Sequence, residues 1–429
     1  MKVLFSPIGG TDPISNYRDG AMLHICRIYR PDKVYLYLSK EMCEYHDKDN
    51  RYVKAINYLA EEIGCNFEIE VLRDDEMRDV QIFDAFIDLF ERYIEEIREK
   101  DMPDELLVNV SSGTPAMKSS LQMISMLWSE IVAIQVSTPK KALNKEHEDK
   151  DSYDVDVQWE CNEDREADFE NRSIISNASR LLDRIRKESI IKHIEVYDYE
   201  SARALADTLS RKSSEEFWDC LNIAVARNKL DLFYVNANKK KYKISNWFPI
   251  TKDKDMEEYE YLLSMQTKLW RKQYVDFIRD ITPIFYSLSR KVLFRYCHLE
   301  FKDIGNEGTS SWYLSMEKLK KLGVTPESYW HDKTNISSNN ILSIMKQLCD
   351  NKAILELMDN IRKAEREVRN LAAHEIMGVT YQWILKKTSF TPEAIMDMLF
   401  KYAECAGLKI SEHERLIYNE MNHNLIDML

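Results

Sequence analysis

The residues best suited to chemistry form one short run towards the C-terminal end of the sequence, Arg369-Asn370-Leu371-Ala372-Ala373-His374. Histidine moves protons near neutral pH, a guanidinium complements phosphoryl oxygens, and an amide orients an imidazole or a substrate. This trio suits cleavage of a chain that carries its own nucleophile. RNA does so: its 2′-hydroxyl attacks the adjacent phosphorus once it is held in line, protons are moved and the charged phosphorane is stabilised. Arginine followed closely by histidine is a weak pattern alone, since Arg18/His24 and Arg186/His193 also show it. The third match is set apart by the Asn after Arg, by the two Ala before His, and by its place in a helical stripe. That stripe comprises Ile354, Leu357, Met358, Ile361, Ala364, Val368, Leu371 and Ala372, with Arg362, Lys363 and Arg366 beside it. On a helix, Asn370 and His374 stand about 40° apart and Arg369 and His374 about 140° apart. One straight helix does not aim both at one atom, whereas two copies meeting near Ala372 and Ala373 can pool their groups.

A second kind of chemistry is written near the N-terminus. Ser6-Pro7-Ile8-Gly9-Gly10-Thr11-Asp12 and Asn109-Val110-Ser111-Ser112-Gly113-Thr114-Pro115 each follow a short apolar run that reads as a strand. Glycine permits close backbone approach, hydroxyls and main-chain N–H groups donate to phosphate oxygens, and the helix opening at Pro115 favours an anion. A nucleotide phosphate fits this set, with Lys118 available to meet its charge; a plain N-cap with turn residues is the simpler alternative. Neither loop is Gly-x-Gly-x-x-Gly, and no Gly-x-x-x-x-Gly-Lys-Ser/Thr occurs, which disfavours ordinary dinucleotide and P-loop chemistry.

These loops need a scaffold, and the first 140 residues supply one by alternating two periodicities. Strands are expected at Lys2–Phe5, Val34–Leu38, Phe67–Val71, Leu106–Val110 and Ile131–Val136. Helices are expected between them at Ala21–Tyr29, Tyr52–Ile63, Phe83–Lys100 and Ala116–Leu127. The outcome is a Rossmann-like, doubly wound α/β domain over 1–140. An acidic segment follows over 141–172, with 5 basic and 12 acidic residues, in which Tyr153–Trp159 alternates like a strand and completes the sheet domain. Beyond it the pattern is helical: a connecting region at 173–250 with Ile174–Ile194, Ser201–Leu209 and Glu215–Ala226, then a helical domain at 251–429. The last opens with a long helix over Glu257–Tyr296 that Pro283 is expected to kink.

Composition narrows the field. Across 429 residues only ten Gly and ten Pro occur, about 5%, and 44% hydrophobic with 31% charged residues is a folded, helix-rich mixture. No two of the eight cysteines are close enough for a zinc knuckle or a Cys-x-x-Cys pair, and His46, His147, His331, His413 and His423 make no ligand pair, so no metal site is expected. Val3–Phe5 is far shorter than a signal-peptide core, and the protein is expected in the reducing cytoplasm, away from membranes. A net charge of −13 argues against a general nucleic-acid coat, yet Lys268–Lys302 carries 8 basic and 3 acidic residues, and Lys239–Lys243 forms a second basic stretch.

Gly-Gly-Thr-Asp and Ser-Ser-Gly-Thr-Pro loops on a sheet domain, joined to a helical domain carrying Arg-Asn-x-x-Ala-His, resemble the ancillary ribonucleases of type III-A CRISPR systems. Their sensor domain is called CARF, for CRISPR-associated Rossmann fold, and their nuclease domain HEPN. The resemblance covers essentially the whole chain. It implies that cyclic oligoadenylate, a tetra- or hexa-adenylate ring, binds the sensor through Gly10, Thr11, Asp12, Asn109, Ser111, Ser112, Gly113 and Thr114. It further implies a homodimer with no cofactor, in which Arg369, Asn370 and His374 cut single-stranded RNA without metal, leaving a 2′,3′-cyclic phosphate. Some relatives also cleave their own activator in the sensor. Two other readings remain open: a nucleotide-sensing regulator that binds partners or nucleic acid without cutting, and a HEPN toxin-type ribonuclease answering another nucleotide.

Overall fold

The structure, a computed structural model, describes residues 1–128, 130–138, 153–167, 169–176, 179–210, 213–250, 252–309, 311–374 and 378–429, with the side chains of 179, 253, 254 and 367–374 outside the description. These residues form two compact units, Met1–Leu182 and Asp183–Leu429.

The first unit is built on β1 (Lys2–Pro7), β4 (Lys33–Ser39), β5 (Glu68–Asp74), β6 (Glu105–Asn109), β7 (Ile131–Val136) and β8 (Ser173–Ile175), with a small hairpin of β2 (Ile14–Ser15) and β3 (Arg18–Asp19). The main sheet has the order β5-β4-β1-β6-β7-β8, parallel but for β8, which runs antiparallel to β7 with Ser173 opposite Val136. Helices α1 (Ala21–Tyr29), α2 (Lys40–Asp49), α3 (Arg51–Ile63), α4 (Phe83–Asp101) and α5 (Pro115–Leu127) connect the strands. A strand buried on both faces must be apolar at every position, and β4 shows how the two faces differ. Val34, Leu36 and Leu38 join the layer of α1 and α3, while Tyr35 and Tyr37 join the layer of α4 and α5. The tyrosines are tolerated because each hydroxyl donates to a carboxylate, Tyr35 to Asp101 and Tyr37 to Asp74 (3.3 Å).

Two local expectations change here. Tyr153–Trp159 is not a strand, for Val155–Glu160 forms helix α6. Asp154 caps it by accepting from the amides of Asp156 (2.9 Å) and Val157 (3.4 Å), and Val155 and Trp159, four residues apart, bury together while Val157 is left 55% exposed. The start of the expected helix at Ile174 is instead β8: Ser137 N–H donates to the Arg172 carbonyl at 3.0 Å, and Ser176 N–H to the Ala133 carbonyl at 2.7 Å. The sheet unit therefore runs past residue 172.

The second unit is helical: α7 (Ser179–Glu195), α8 (Tyr199–Ala206), α9 (Glu215–Asn228), α10 (Leu232–Asn238), α11 (Asp253–Trp270), α12 (Tyr274–Cys297), α13 (Phe301–Ile304), α14 (Met316–Lys321), α15 (Ser338–Leu348), α16 (Lys352–His374), α17 (Tyr381–Thr388), α18 (Pro392–Ala406), α19 (Glu412–Arg415) and α20 (Ile417–Met428). A two-stranded ribbon, β9 (Gly305–Glu307) with β10 (Trp312–Leu314), interrupts them. One apolar core extends from Ile190 to Leu425, so the middle helices and those after residue 250 are packed together. The helix expected across Glu257–Tyr296 is two helices, broken at 271–273 and not at Pro283, which lies inside α12. Lys272 is left-handed (φ 58°), and Trp270 stacks on Tyr197 with ring centroids 4.9 Å apart. Packing against Tyr197 accompanies a stop that no glycine announces.

Candidate functional site

The chain leaves β1 towards β4 and β5 on one side, then returns to β6 and β7 on the other. Reversal of strand order opens a crevice between β1 and β6 at their carboxyl ends, the place where open α/β sheets receive ligands. Both sequence-singled loops emerge there and touch main chain to main chain. A Cβ on Gly9 would lie 2.5 Å from the Gly113 nitrogen, and Gly113 itself has φ +83°.

The side chains of the two loops divide into braces and an open rim. Asp12 is buried and accepts from the amides of Gly9 (3.0 Å) and Met22 (3.1 Å), pinning the first loop to the start of α1. Burial raises its carboxyl above the usual range, against hydrogen bonds from the Ser112 side chain and those two amides. Asn109 is likewise a buried brace: Nδ2 donates to Ser6 Oγ (2.9 Å) and Ser112 Oγ (2.8 Å), and Oδ1 accepts from the amides of Ser111 (2.9 Å) and Ser112 (3.2 Å). Ser111 Oγ accepts from Val136 N–H at 2.7 Å, and Thr114 Oγ1 donates to the Val80 carbonyl at 2.6 Å while capping α5. The hydroxyls of Ser111, Ser112 and Thr114 are thus engaged by the protein, while that of Thr11 is not among these contacts. Gly10 and Thr11 are exposed, and the amides of Gly10, Thr11, Gly113 and Thr114 have no hydrogen-bond partner among the described residues. Unpaired main-chain donors beside the N-terminus of the 13-residue α5 make an anion cradle.

A network that motif reading missed joins residues 18–27 to residues 162–172. Arg172 N–H donates to His24 Nε2 (3.0 Å), and its guanidinium reaches Asp164 (2.8 Å) and the Asp19 carbonyl (2.9 Å). Arg18 also binds Asp164 (2.8 Å), and Arg27 and Asn162 bind Asp19 (both 2.6 Å). Ligand atoms of Asp19, His24 and Asp164 gather within 4.8 Å, as a metal site requires. Guanidinium and amide donors already engage those carboxylates, so the cluster works as a suture between α1 and the segment after α6. Burial, reinforced by the Arg172 charge, pushes the His24 pKa down to about 4. No local spacing joins residues 18–27 to 162–172.

Arg369, Asn370 and His374 occupy the closing turns of α16; their side chains lie outside the described residues. Upstream, Ile354, Met358, Ile361 and Ala364 bury the apolar stripe as expected, with Leu357 half-buried. Glu365, absent from the sequence reading, is 1% exposed on the same helix. Its Oε2 accepts from Arg362 at 2.6 Å, while Oε1 is buried without a partner among the described residues. Of the basic stretch at Lys239–Lys243, Lys241 is held by Glu215 (2.8 Å) and Asp219 (2.5 Å).

Three family models match successive parts of the chain: the Cas_Csm6 CARF domain at 68–173, the CRISPR-associated protein Csm6 6H domain at 176–228, and the Cas_Csm6 HEPN domain at 247–426. The chain belongs to the Csm6 family of CRISPR endoribonucleases. It is 29% identical over 424 residues to the CRISPR system endoribonuclease Csm6 of Mycobacterium tuberculosis, spanning 96% of each chain. Over 213 residues it is 35% identical to Csm6 of Enterococcus italicus, spanning 48% of each chain, and over 231 residues 33% identical to Csm6′ of Streptococcus thermophilus, spanning 52% of this chain and 58% of that one. A solved structure titled Enterococcus italicus Csm6 bound to cyclic hexa-2′-fluoro-hexa-dAMP shares the fold, with TM-score 0.74 and 21% identity over 100% of both chains.

The β6 loop lies within the CARF match, on the same sheet as the β1 loop, and α16 lies within the HEPN match. The 6H match names the region of α7 to α9 that periodicity described only as helical. Among the described residues, no helix is long and apolar enough to cross a membrane.

Proposed function

We propose that this chain is a cytoplasmic homodimer that cuts single-stranded RNA when cyclic oligoadenylate occupies its sensor, in type III CRISPR defence. The observation carrying this reading is the open cradle of main-chain donors between β1 and β6, in a chain that also carries the HEPN match and the Arg-Asn-x-x-Ala-His run. Phosphates of the ring sit on the amides of Gly10, Thr11, Gly113 and Thr114, while Asp12, Asn109, Ser111 and Ser112 hold those amides in place. The ligand named in the Enterococcus italicus structure makes a six-membered ring the first activator to try.

At the nuclease site, Arg369 neutralises the phosphoryl oxygens, His374 moves the protons, and Asn370 orients the imidazole or the substrate. The nucleophile is the RNA's own 2′-hydroxyl, so no metal-bound water is called on and the product is a 2′,3′-cyclic phosphate. Because Arg369 and His374 stand about 140° apart on α16, two copies of the helix supply the groups around one phosphate. Exposed Met123 and Leu127 on α5, with Ile174 of the short strand β8 on the α5 face of the sheet, give the sensor unit an apolar surface suited to a second copy. The same in-line chemistry, applied to the ring's 2′-hydroxyl, gives slow cleavage of the activator by the sensor.

The test is a fluorescent RNA-cleavage assay with cyclic tetra- and hexa-adenylate, with and without chelator. Activator-dependent cleavage that survives chelation and falls at least about a hundredfold in His374→Ala is expected. Cleavage that needs added magnesium, or equal rates in the variant, would overturn the mechanism.

A further inference from the structure

The basic stretch Lys268–Lys302 is unused by either site, and the structure shows what it builds. The last three turns of α12 wall a groove of about 800 Å³ with the start of α11 and the end of α18. Ser287, Arg290, Lys291, Phe294 and His298 stand at i, i+3, i+4, i+7 and i+11, which places them along one face. Phe294 is 54% exposed, an unusual state for so large an apolar ring inside a lined groove. Exposed Arg290 and Arg295 flank it, and the exposed His298 closes the helix.

The lining carries three acids against Arg290, Lys291 and Arg295, with Lys291 shared between Glu258 and Asp255 (2.8 Å), so what sets the groove apart is how its charges pair and not a net charge. Glu258 is bound by Lys291 and by Ser287 Oγ at 2.8 Å, and Glu300 by Lys302 at 2.6 Å. Glu257 is the one remaining acid of the lining; Arg290 and Arg295 have no ion pair among the described residues, and Arg290 leans over the Phe301 ring at 5.1 Å. An open aromatic ring between two unpaired guanidiniums is the combination that holds a single nucleic-acid strand, with a base on the ring and phosphates on the arginines.

We propose that this groove is a binding site for single-stranded RNA, an exosite that holds the substrate chain away from the scissile phosphate. It rests on the RNA-cutting reading above for its purpose but not for its binding. Apparent affinity for long RNA then exceeds that for a fragment filling only the catalytic centre.

The experiment uses the full chain and a labelled single strand of about 20 nucleotides, followed by fluorescence anisotropy without activator. Phe294→Ala should weaken binding about tenfold and Phe294→Tyr should restore it. Arg290→Ala with Arg295→Ala should lower the slope of log affinity against log salt by about 1.4, the share of two phosphates on a single strand. With activator, both sets should raise KM for the long strand while leaving its kcat, the KM for a short fragment and the activator requirement unchanged. Unchanged anisotropy in all variants overturns the exosite, as does a loss of affinity that appears only when light scattering shows the particle's mass to fall, which would make Phe294 a contact between copies. If the wild-type chain binds RNA through these residues yet never cuts it, the exosite stands and the nuclease reading fails. If it cuts RNA and the variants bind normally, the exosite alone is lost.

Discussion

Replacing His24 by glutamine should remove a specific part of this protein's acid sensitivity. The ring is buried, its Nε2 accepts from Arg172 N–H at 3.0 Å, and the Arg172 guanidinium stands 3.3 Å from Nδ1. A proton added to Nε2 would face another donor, and burial adds its own penalty, so the folded pKa is pushed down to about 4. In the unfolded chain the ring titrates normally near 6.5. Between those values the unfolded state binds the extra proton, so stability is complete above pH 6.5, declines as pH falls, and levels off below about 4. A displacement of about 2.5 pH units corresponds to about 3 kcal/mol. Asp19, Asp164, Arg27 and Arg172 surround the ring in both proteins, so subtracting the variant's profile isolates the histidine. Hydrogen exchange read by mass spectrometry on peptides of α1 reports the opening free energy of that helix. Wild type should lose about 3 kcal/mol of protection between pH 7 and 4, and His24→Gln, whose amide oxygen can still accept from Arg172 N–H, less than about 1. Parallel profiles for the two proteins would refute the account of His24 as a buried neutral acceptor.

Gly9→Ala should spoil the sensor without harming the nuclease. Its Cβ would fall 2.5 Å from the Gly113 nitrogen, so the two loops must part by about 0.9 Å to reach ordinary contact, and the half-activating concentration of cyclic hexa-adenylate should rise at least about tenfold. Gly64→Ala, at a glycine with nothing within 4 Å, is the control: it should cost about 1 kcal/mol of stability and leave the activation curve unmoved. In the helical unit, Arg227 binds Glu260 through two hydrogen bonds of 2.7 and 2.9 Å, with both side chains buried. Arg227→Met should destabilise by about 3–5 kcal/mol in calorimetric unfolding, and adding Glu260→Leu should recover most of it; an additive double loss would contradict the uncompensated-charge explanation.

Local sequence determined more of the sheet unit than of its fastenings. Short apolar runs separated by helical stripes specify β1, β4, β5, β6 and β7 and the helices between them, because period and turn chemistry are properties of neighbouring residues. Gly-Gly-Thr-Asp and Ser-Ser-Gly-Thr-Pro likewise announced both loops of the crevice, and the apolar stripe announced α16. What each loop side chain does was not legible. Ser111, Ser112 and Thr114 carry hydroxyls that suit a phosphate, but Val136, Asn109 and Val80 claim them first, and such partners appear only when the strands assemble. The same holds for α6, where Tyr153 to Trp159 satisfies both periods and burial of Val155 with Trp159 decides between them. It holds for the break after Trp270, where a ring from residue 197 takes the place of a glycine signal, and for β8, which is a strand because β7 has an open edge. His24 makes the contrast sharpest. As a residue in a sequence it is one of nine titratable histidines, and the fold alone turns it into a neutral acceptor, because its donor lies 148 positions away. Tertiary contact chooses among the states that local chemistry leaves nearly equal.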